Sequence, residues 1–435
     1  MASLTQLSTW SNDLAIAAQI LSDHCQSNGA TFTDDLTFKG SASADVARAR
    51  RDIFTISNRL RTLSAEPQDF IQHLTSQSQL LACLNWLREF QILACIPLVG
   101  SIHTKEVADL AGVPEMQLCR IVRMTATAGF LHEPQLGHIA HTTLSAPFVT
   151  DLSFLDATMF LAETVAPTAL QMPSATQRRK DSSRSSDNPY CIAFNTPQPF
   201  LLACAERPKL QRAWSAYRRY TERMDDIVVD LLGRLNWRCL GSACIVDVEA
   251  ATALAETHPA LHFIVQLNEA ASNGNDIIGG GVTESSGQRI TVQKRIPASV
   301  QSVKDAAVYI LRLTTPSPDL PAYIVAELNA HLDVLRTNAS ATLILAPPLL
   351  PEAGTVDLDI EAMARTQDLC RLQLTGHCDL ELSELIGIVS SVHDGSGRLI
   401  VVSKLRSTNS FTVALGVRYQ AYTSGIHPAV EQMIL

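Results

Sequence analysis

The chain has 435 residues, 46% hydrophobic and 18% charged, with a formal net charge of −9; this is an ordinary globular composition, long enough for two or three domains. That charge excludes a general polyanion binder, whose attraction to phosphate needs a basic field. Ten cysteines without a C-x-x-C pair, several inside apolar runs, exclude a disulfide framework and point to buried, reduced thiols in an intracellular protein.

The N-terminus has neither the basic start nor the apolar run of a secretory signal, and no stretch of about 20 apolar residues is present to span a membrane. The expected location is nucleus and cytoplasm, away from membranes. Residues 1–27 predict an amphipathic helix, with Leu14, Ile16, Ala17, Ile20 and Leu21 near one face. A Ser-, Thr-, Gly- and Asp-rich linker follows over 27–45, then a second helix carrying Ile53, Ile56, Leu60 and Leu63. Such a pair serves either local core or an interface between copies. Residues 80–100 are apolar on nearly every side and predict a buried helix.

Next comes a helix-turn-helix pattern. Thr104 is placed to cap a helix bearing Val107, Leu110 and Ala111, and Gly112 ends it. Pro114 opens a second helix with Leu118, Ile121, Val122 and Ala126 at helical spacing; Gly129 closes it, and Phe130 to Thr143 suit a small hairpin. This is the order of a winged helix. A DNA reader would present basic and amide side chains on the second helix. Here Glu115, Gln117, Arg120 and Arg123 stand without further basic support, which favours a structural module packed against a partner chain.

Residues 171–190 interleave Arg178, Arg179, Lys180 and Arg184 with Ser182, Ser183, Ser185 and Ser186, and predict a disordered, solvated loop that is also a candidate for phosphorylation. From about Asp225 the pattern alternates. Helices are expected over 227–235, 253–256, 322–335, 360–374 and 380–388, and strands over 244–248, 262–266, 306–313, 341–345, 399–403 and 411–419. Such alternation implies a doubly wound parallel sheet with an antiparallel edge. Gly274 and Gly279-Gly280-Gly281 fall too far beyond the first strand to be a dinucleotide fingerprint.

Taken together, Glu106-Val107-Ala108 to Phe130, Asn195-Thr196-Pro197 to Met224, and Ala253-Leu254-Ala255 with Pro259, Leu261 and Phe263 to Gln266 carry a resemblance. Over residues 80–420 the chain resembles the fungal and plant-type S-adenosylmethionine-dependent O-methyltransferases. The resemblance implies a mainly α N-terminal winged-helix dimerisation domain plus an α/β Rossmann-like methyltransferase domain. The expected organisation is N-terminal helices and linker over 1–79, the winged-helix domain over 80–150, a helical connector over 151–224 containing the loop 171–190, and the Rossmann-like domain over 225–435.

At four places the sequence departs from that family. The glycine-rich turn expected after Val246-Asp247-Val248 is replaced by the shorter Glu249-Ala250-Ala251-Thr252, removing the close backbone approach a nucleoside needs. Gln266 is followed by Leu267 rather than by the aspartate that holds the ribose, leaving Asn268 or Glu269 as substitutes. Tyr309-Ile310-Leu311-Arg312-Leu313 leads into Thr314-Thr315-Pro316-Ser317-Pro318, where the family carries a catalytic histidine. The Glu-Arg pair near the end falls on Gly376-His377-Cys378-Asp379. Losing the base alone lowers a rate by about 10²–10⁴, and losing the methyl donor removes the reaction.

The reading is therefore a degenerate methyltransferase with no catalytic, cofactor-binding or metal-ligating residue assigned and no cofactor; adjacent pairs such as His24-Cys25 and His377-Cys378 lack metal-site spacing. The chain is more similar to the aflatoxin-type co-activators of fungal polyketide gene clusters. That resemblance implies transcription regulation by binding a zinc-cluster transcription factor, as a homodimer without direct nucleic-acid contact. The alternative is an active enzyme methylating a polyketide phenol with S-adenosylmethionine.

Overall fold

The computed structural model describes residues 4–27, 44–181, 188–221, 244–247, 260–268, 290–313, 320–347, 349–406 and 413–422, with positions 232, 237 and 258. The chain divides into two compact units between Tyr220 and Thr221.

In the N-terminal unit, α1 (Leu4–Ser27) and α2 (Ala44–Ser64) pack together, burying the small or β-branched Ala17, Val46, Ala49 and Ile56. Helix α3 (Pro67–Glu89) begins with a capping box between Glu66 and Asp69 and with Pro67 in its first turn. The buried helix expected over 80–100 is not what forms. Gln91 takes a left-handed φ of 52°, and Ile92–Cys95 makes a 3-10 turn that buries Ile92 and Leu93. Ile96, ahead of Pro97, is extended as pre-proline residues prefer, which leaves Leu98 and Val99 exposed.

Strand β1 (Ile102–His103) leads into α4 (Thr104–Ala111), then α5 (Glu115–Ala126), β2 (Leu131–His132) and β3 (His138–His141), with the three strands ordered β1-β3-β2. The cap of α4 is His103, whose Nδ1 accepts from the Lys105 amide at 3.1 Å. Thr104 is instead the first helical residue; its hydroxyl donates to the Gly137 carbonyl at 2.9 Å and ties the helix to the hairpin. Gly112 ends α4 at φ +66°, where a Cβ would be strained. Leu87, Ile92, Val107, Leu118, Val122, Leu131 and Ile139 form one core.

The connector holds α6 (Pro147–Thr150), α7 (Ser153–Phe160), a widened π turn (Leu161–Val165), α8 (Ala166–Ala169), α9 (Met172–Asp181), α10 (Pro189–Ala193), α11 (Phe200–Glu206) and α12 (Pro208–Thr221). Helix α9 corrects the disordered reading of 171–190 over its first half. Ala175 is buried and α9 packs on α10, so tertiary contact stabilises a segment whose composition alone would not fold. Residues 182–187 lie outside the described residues.

In the C-terminal unit, β4 (Cys244–Asp247), β5 (His262–Asn268), β6 (Ile290–Arg295), β7 (Val308–Leu311), α13 (Leu320–Thr337), β8 (Thr342–Leu345), β9 (Leu349–Leu350), α14 (Leu358–Thr375), β10 (Leu380–Glu381), α15 (Leu382–Ser391), β11 (Gly397–Arg406) and β12 (Val413–Ala421) follow in order. The main sheet runs β6-β5-β4-β7-β8-β12-β11. Its first five strands are parallel, and β12 and β11 are each antiparallel to the neighbour. Alternation along the strands sends Val246, Tyr309, Leu311, Leu343 and Leu345 into one core with Ile324 and Leu328 of α13 and Leu385 and Val389 of α15. Ile245, Phe263, Val308, Ile310 and Ile344 pack on the other side with Leu232 and Trp237. The helices expected over 227–235 and 253–256 lie, Leu232 apart, outside the described residues.

Candidate functional site at the carboxyl edge of the sheet

In an open α/β sheet, ligands bind beyond the carboxyl ends of the strands, where the strand order reverses. That point lies between β4 and β7: β4 bonds β5 on one side and β7 on the other. The edge is formed by Asp247, by Gln266 to Asn268, and by Leu311 to Leu313. Glu249-Ala250-Ala251-Thr252, Glu269, the glycines at 274 and 279–281, and residues 314–318 lie outside the described residues.

Register constrains the first connection. Cys244 pairs with His262 and Asp247 with Val265 in parallel, and the sequence from Val248 to Leu261 joins the two strands. A parallel crossover takes about a dozen residues at minimum.

Gln266 is 4% exposed and its amide is committed to the protein. Its Nε2 donates to Gln301 Oε1 at 2.8 Å, and Gln301 Nε2 donates back to Gln266 Oε1 at 3.0 Å. The second Gln301 N–H donates to His331 Nε2 at 3.0 Å, while Gln301 Oε1 also accepts from the Val303 amide at 3.1 Å. Since the Glu327 carbonyl only accepts, His331 Nδ1 carries the proton it donates there at 2.8 Å, which fixes the neutral tautomer. Burial pushes the His331 pKa down to about 4. Glu327, one turn earlier, ion-pairs with Arg295 at 2.9 Å and accepts from the Ala298 amide at 2.7 Å. This chain of bonds joins β5, β6, the 296–303 segment and α13; it is a buried polar scaffold, and Gln266 is spent in holding it.

The structure contains two features that the sequence reading missed. Strand β6 lies at the sheet edge with Thr291 and Val292 exposed, so it lacks the apolar run of its neighbours. The network was signalled by Glu327 and His331, spaced four apart on the same face of α13 as buried Ile324, Leu328 and Val334.

His377 and Cys378 are exposed, whereas Asp379 is buried and paired with Arg371. The Asp379 amide donates to Asp368 Oδ1 at 2.7 Å, closing the turn from α14 to β10; burial raises the Asp368 pKa, against the opposing pull of Arg371 and Arg365. Of the positions singled out in the sequence, Gln266 is thus committed to Gln301 and Asp379 to Arg371.

On the N-terminal unit, Arg123 of α5 makes a two-pronged pair with Glu133 of the hairpin, at 3.0 and 3.1 Å. The guanidinium is thus turned to the hairpin, and the bond that Arg123 donates lowers the Glu133 pKa. Arg120 is exposed.

Residues 4–65, comprising α1 and α2, match the family described as the N-terminal domain of the trypacidin cluster transcriptional coactivator tpcD. The chain is 58% identical over 350 residues to a transcriptional coactivator of Pseudocercospora fijiensis, covering 79% of this chain and 97% of the relative. It is 43% identical over 476 residues to the monodictyphenone cluster transcriptional coactivator mdpA of Emericella nidulans, covering 97% and 99%. Among solved structures, LepI in complex with SAM superposes with a TM-score of 0.64 at 15% identity, over 94% of this chain and 100% of that one. The mitomycin 7-O-methyltransferase MmcR gives 0.56 at 14% identity, over 83% and 100%. At these identities the structural likeness shows the fold, which is that of the methyltransferases.

Proposed function

We propose that this chain, which belongs to the family of transcriptional coactivators of secondary-metabolite gene clusters, raises transcription of a polyketide cluster by binding a zinc-cluster transcription factor, on a methyltransferase scaffold that transfers no methyl group. The observation that carries the reading is 43% identity over 97% of this chain to a protein named as a cluster transcriptional coactivator. The absence of transfer rests on the sequence at Glu249-Ala250-Ala251-Thr252, at Leu267 and at Thr314, and is supported by the committed amide of Gln266.

The proposed complex is nuclear, with a cytoplasmic pool, and contains two copies of this chain. The exposed apolar Phe70, Ile71 and Leu74 of α3 support pairing of copies. The Arg123–Glu133 pair supports a role for α4 and α5 in packing rather than in reading DNA. A basic DNA-binding domain in the partner is electrostatically suited to a chain of net charge −9.

The test is co-purification of the tagged chain with a zinc-cluster transcription factor from the same source, followed by footprinting on a cluster promoter. The expected result is a complex that forms without added methyl donor and a footprint that requires the factor. Failure to form the complex, or a footprint from this chain alone, overturns the reading.

A further inference from the structure

The N-terminal unit contains a cavity of about 190 Å³ lined by Met159, Phe160, Glu163, Thr164, Arg207, Lys209, Leu210 and Ala213. Helix α7, the widened turn that follows it and the start of α12 form its walls. Its floor is apolar: Met159, Phe160 and Ala213 are buried, and Leu210 is half-buried. Phe160 is fixed by Phe200 and Tyr217, whose rings lie 6.0 and 5.2 Å away.

The polar groups that line the cavity are Glu163, Thr164, Arg207 and Lys209. Thr164 is only 6% exposed and lines the cavity, and its hydroxyl makes no hydrogen bond to another described residue. A threonine in a helix normally satisfies its hydroxyl on the carbonyl four residues back, as Thr158 does on Phe154 at 2.9 Å. Thr164 lies in the π turn, an irregularity that recurs at functional sites. At the rim Arg207 and Lys209 are exposed and pair with no carboxylate among the described residues, while the Glu163 carboxylate is taken by Arg88. The first N–H groups of α12, behind Pro208, lack carbonyl partners within the helix and add to the positive field.

We propose that this cavity binds a small aromatic acid bearing a second polar group. The ring lies on Phe160 and Met159, the carboxylate meets Arg207 and Lys209, and the second group bonds the Thr164 hydroxyl. An apolar floor with cations confined to one rim selects an aromatic anion over inorganic phosphate, which gains nothing from the floor, and over a neutral ring, which gains nothing from the rim. The site is independent of the coactivator reading: every lining residue belongs to the N-terminal unit.

The probe is 2-hydroxybenzoate, titrated calorimetrically into the full chain. Saturable one-to-one binding is expected, weakened about tenfold by the surface variant Arg207→Gln/Lys209→Gln, since charge-assisted bonds to a carboxylate are lost. Thr164→Val should weaken 2-hydroxybenzoate more than benzoate, a difference that general loss of folding would not produce. No saturable heat up to about 10 mM, affinity unchanged in the double variant, or displacement by phosphate at equal concentration would each overturn the assignment.

Discussion

Replacing Glu327 with alanine probes the buried network most sharply. Glu327 and Arg295 are 3% and 11% exposed at their side chains and lie 2.9 Å apart. Removing the carboxylate strands a guanidinium whose other described contact is to the Ser299 carbonyl, at 2.6 Å. The Ala298 amide also loses its 2.7 Å acceptor. Breaking a buried pair from one side destabilises by about 3–5 kcal/mol. Replacing both partners, Arg295→Met with Glu327→Leu, leaves no buried charge and should be less damaging than the single change. Urea unfolding reads this through Trp237, the tryptophan of the C-terminal unit, with Trp10, Trp86 and Trp214 changed to phenylalanine. With a slope of about 2–3 kcal/mol per molar urea, Glu327→Ala should lower the midpoint by about 1–2 M. A loss below about 1 kcal/mol, or a double variant as unstable as the single, would refute the view that the pair is dry and tightly coupled to its surroundings.

The same network sets a pH response. His331 is neutral when folded, its pKa pushed by burial from 6.5 to about 4. Its contribution is complete above pH 6.5 and declines as pH falls toward 4, because the unfolded chain takes up the proton first. The slope in that window is about 1.4 kcal/mol per pH unit, and His331→Asn should flatten it in unfolding curves measured at successive pH. Ala298 holds a φ of +59°; Ala298→Gly relieves that strain and should raise the urea midpoint, with a gain near 1 kcal/mol. A Cβ at Gly397 would come within 2.4 Å of the Gln420 carbonyl and 2.5 Å of the Tyr419 ring. Gly397→Ala should therefore destabilise the β11–β12 pair by more than about 1 kcal/mol, seen as early hydrogen exchange there.

What the sequence disclosed follows from how each element is buried. The parallel strands β4, β7 and β8 are covered on both sides, so their apolar runs stood out, and α4 and α5 were bracketed by Gly112, Pro114 and Gly129. Strand β6 was invisible because an edge strand exposes one side. Helix α9 was invisible because its support comes from α10, not from its own composition. The helix expected over 80–100 failed where Gln91 turns left-handed, a choice made by the tertiary fold around Ile92 and Leu93. At the carboxyl edge, the missing aspartate after Gln266 was legible, but the bond between Gln266 and Gln301 joins residues far apart in sequence and needed the structure.

The central claim is that a methyltransferase scaffold works here without its methyl donor. Calorimetric titration of the purified chain with S-adenosylmethionine and with its demethylated product tests it most directly. The account predicts no saturable heat from either ligand. Saturable one-to-one binding of both, lost on changing Asn268 or Glu269, would contradict it.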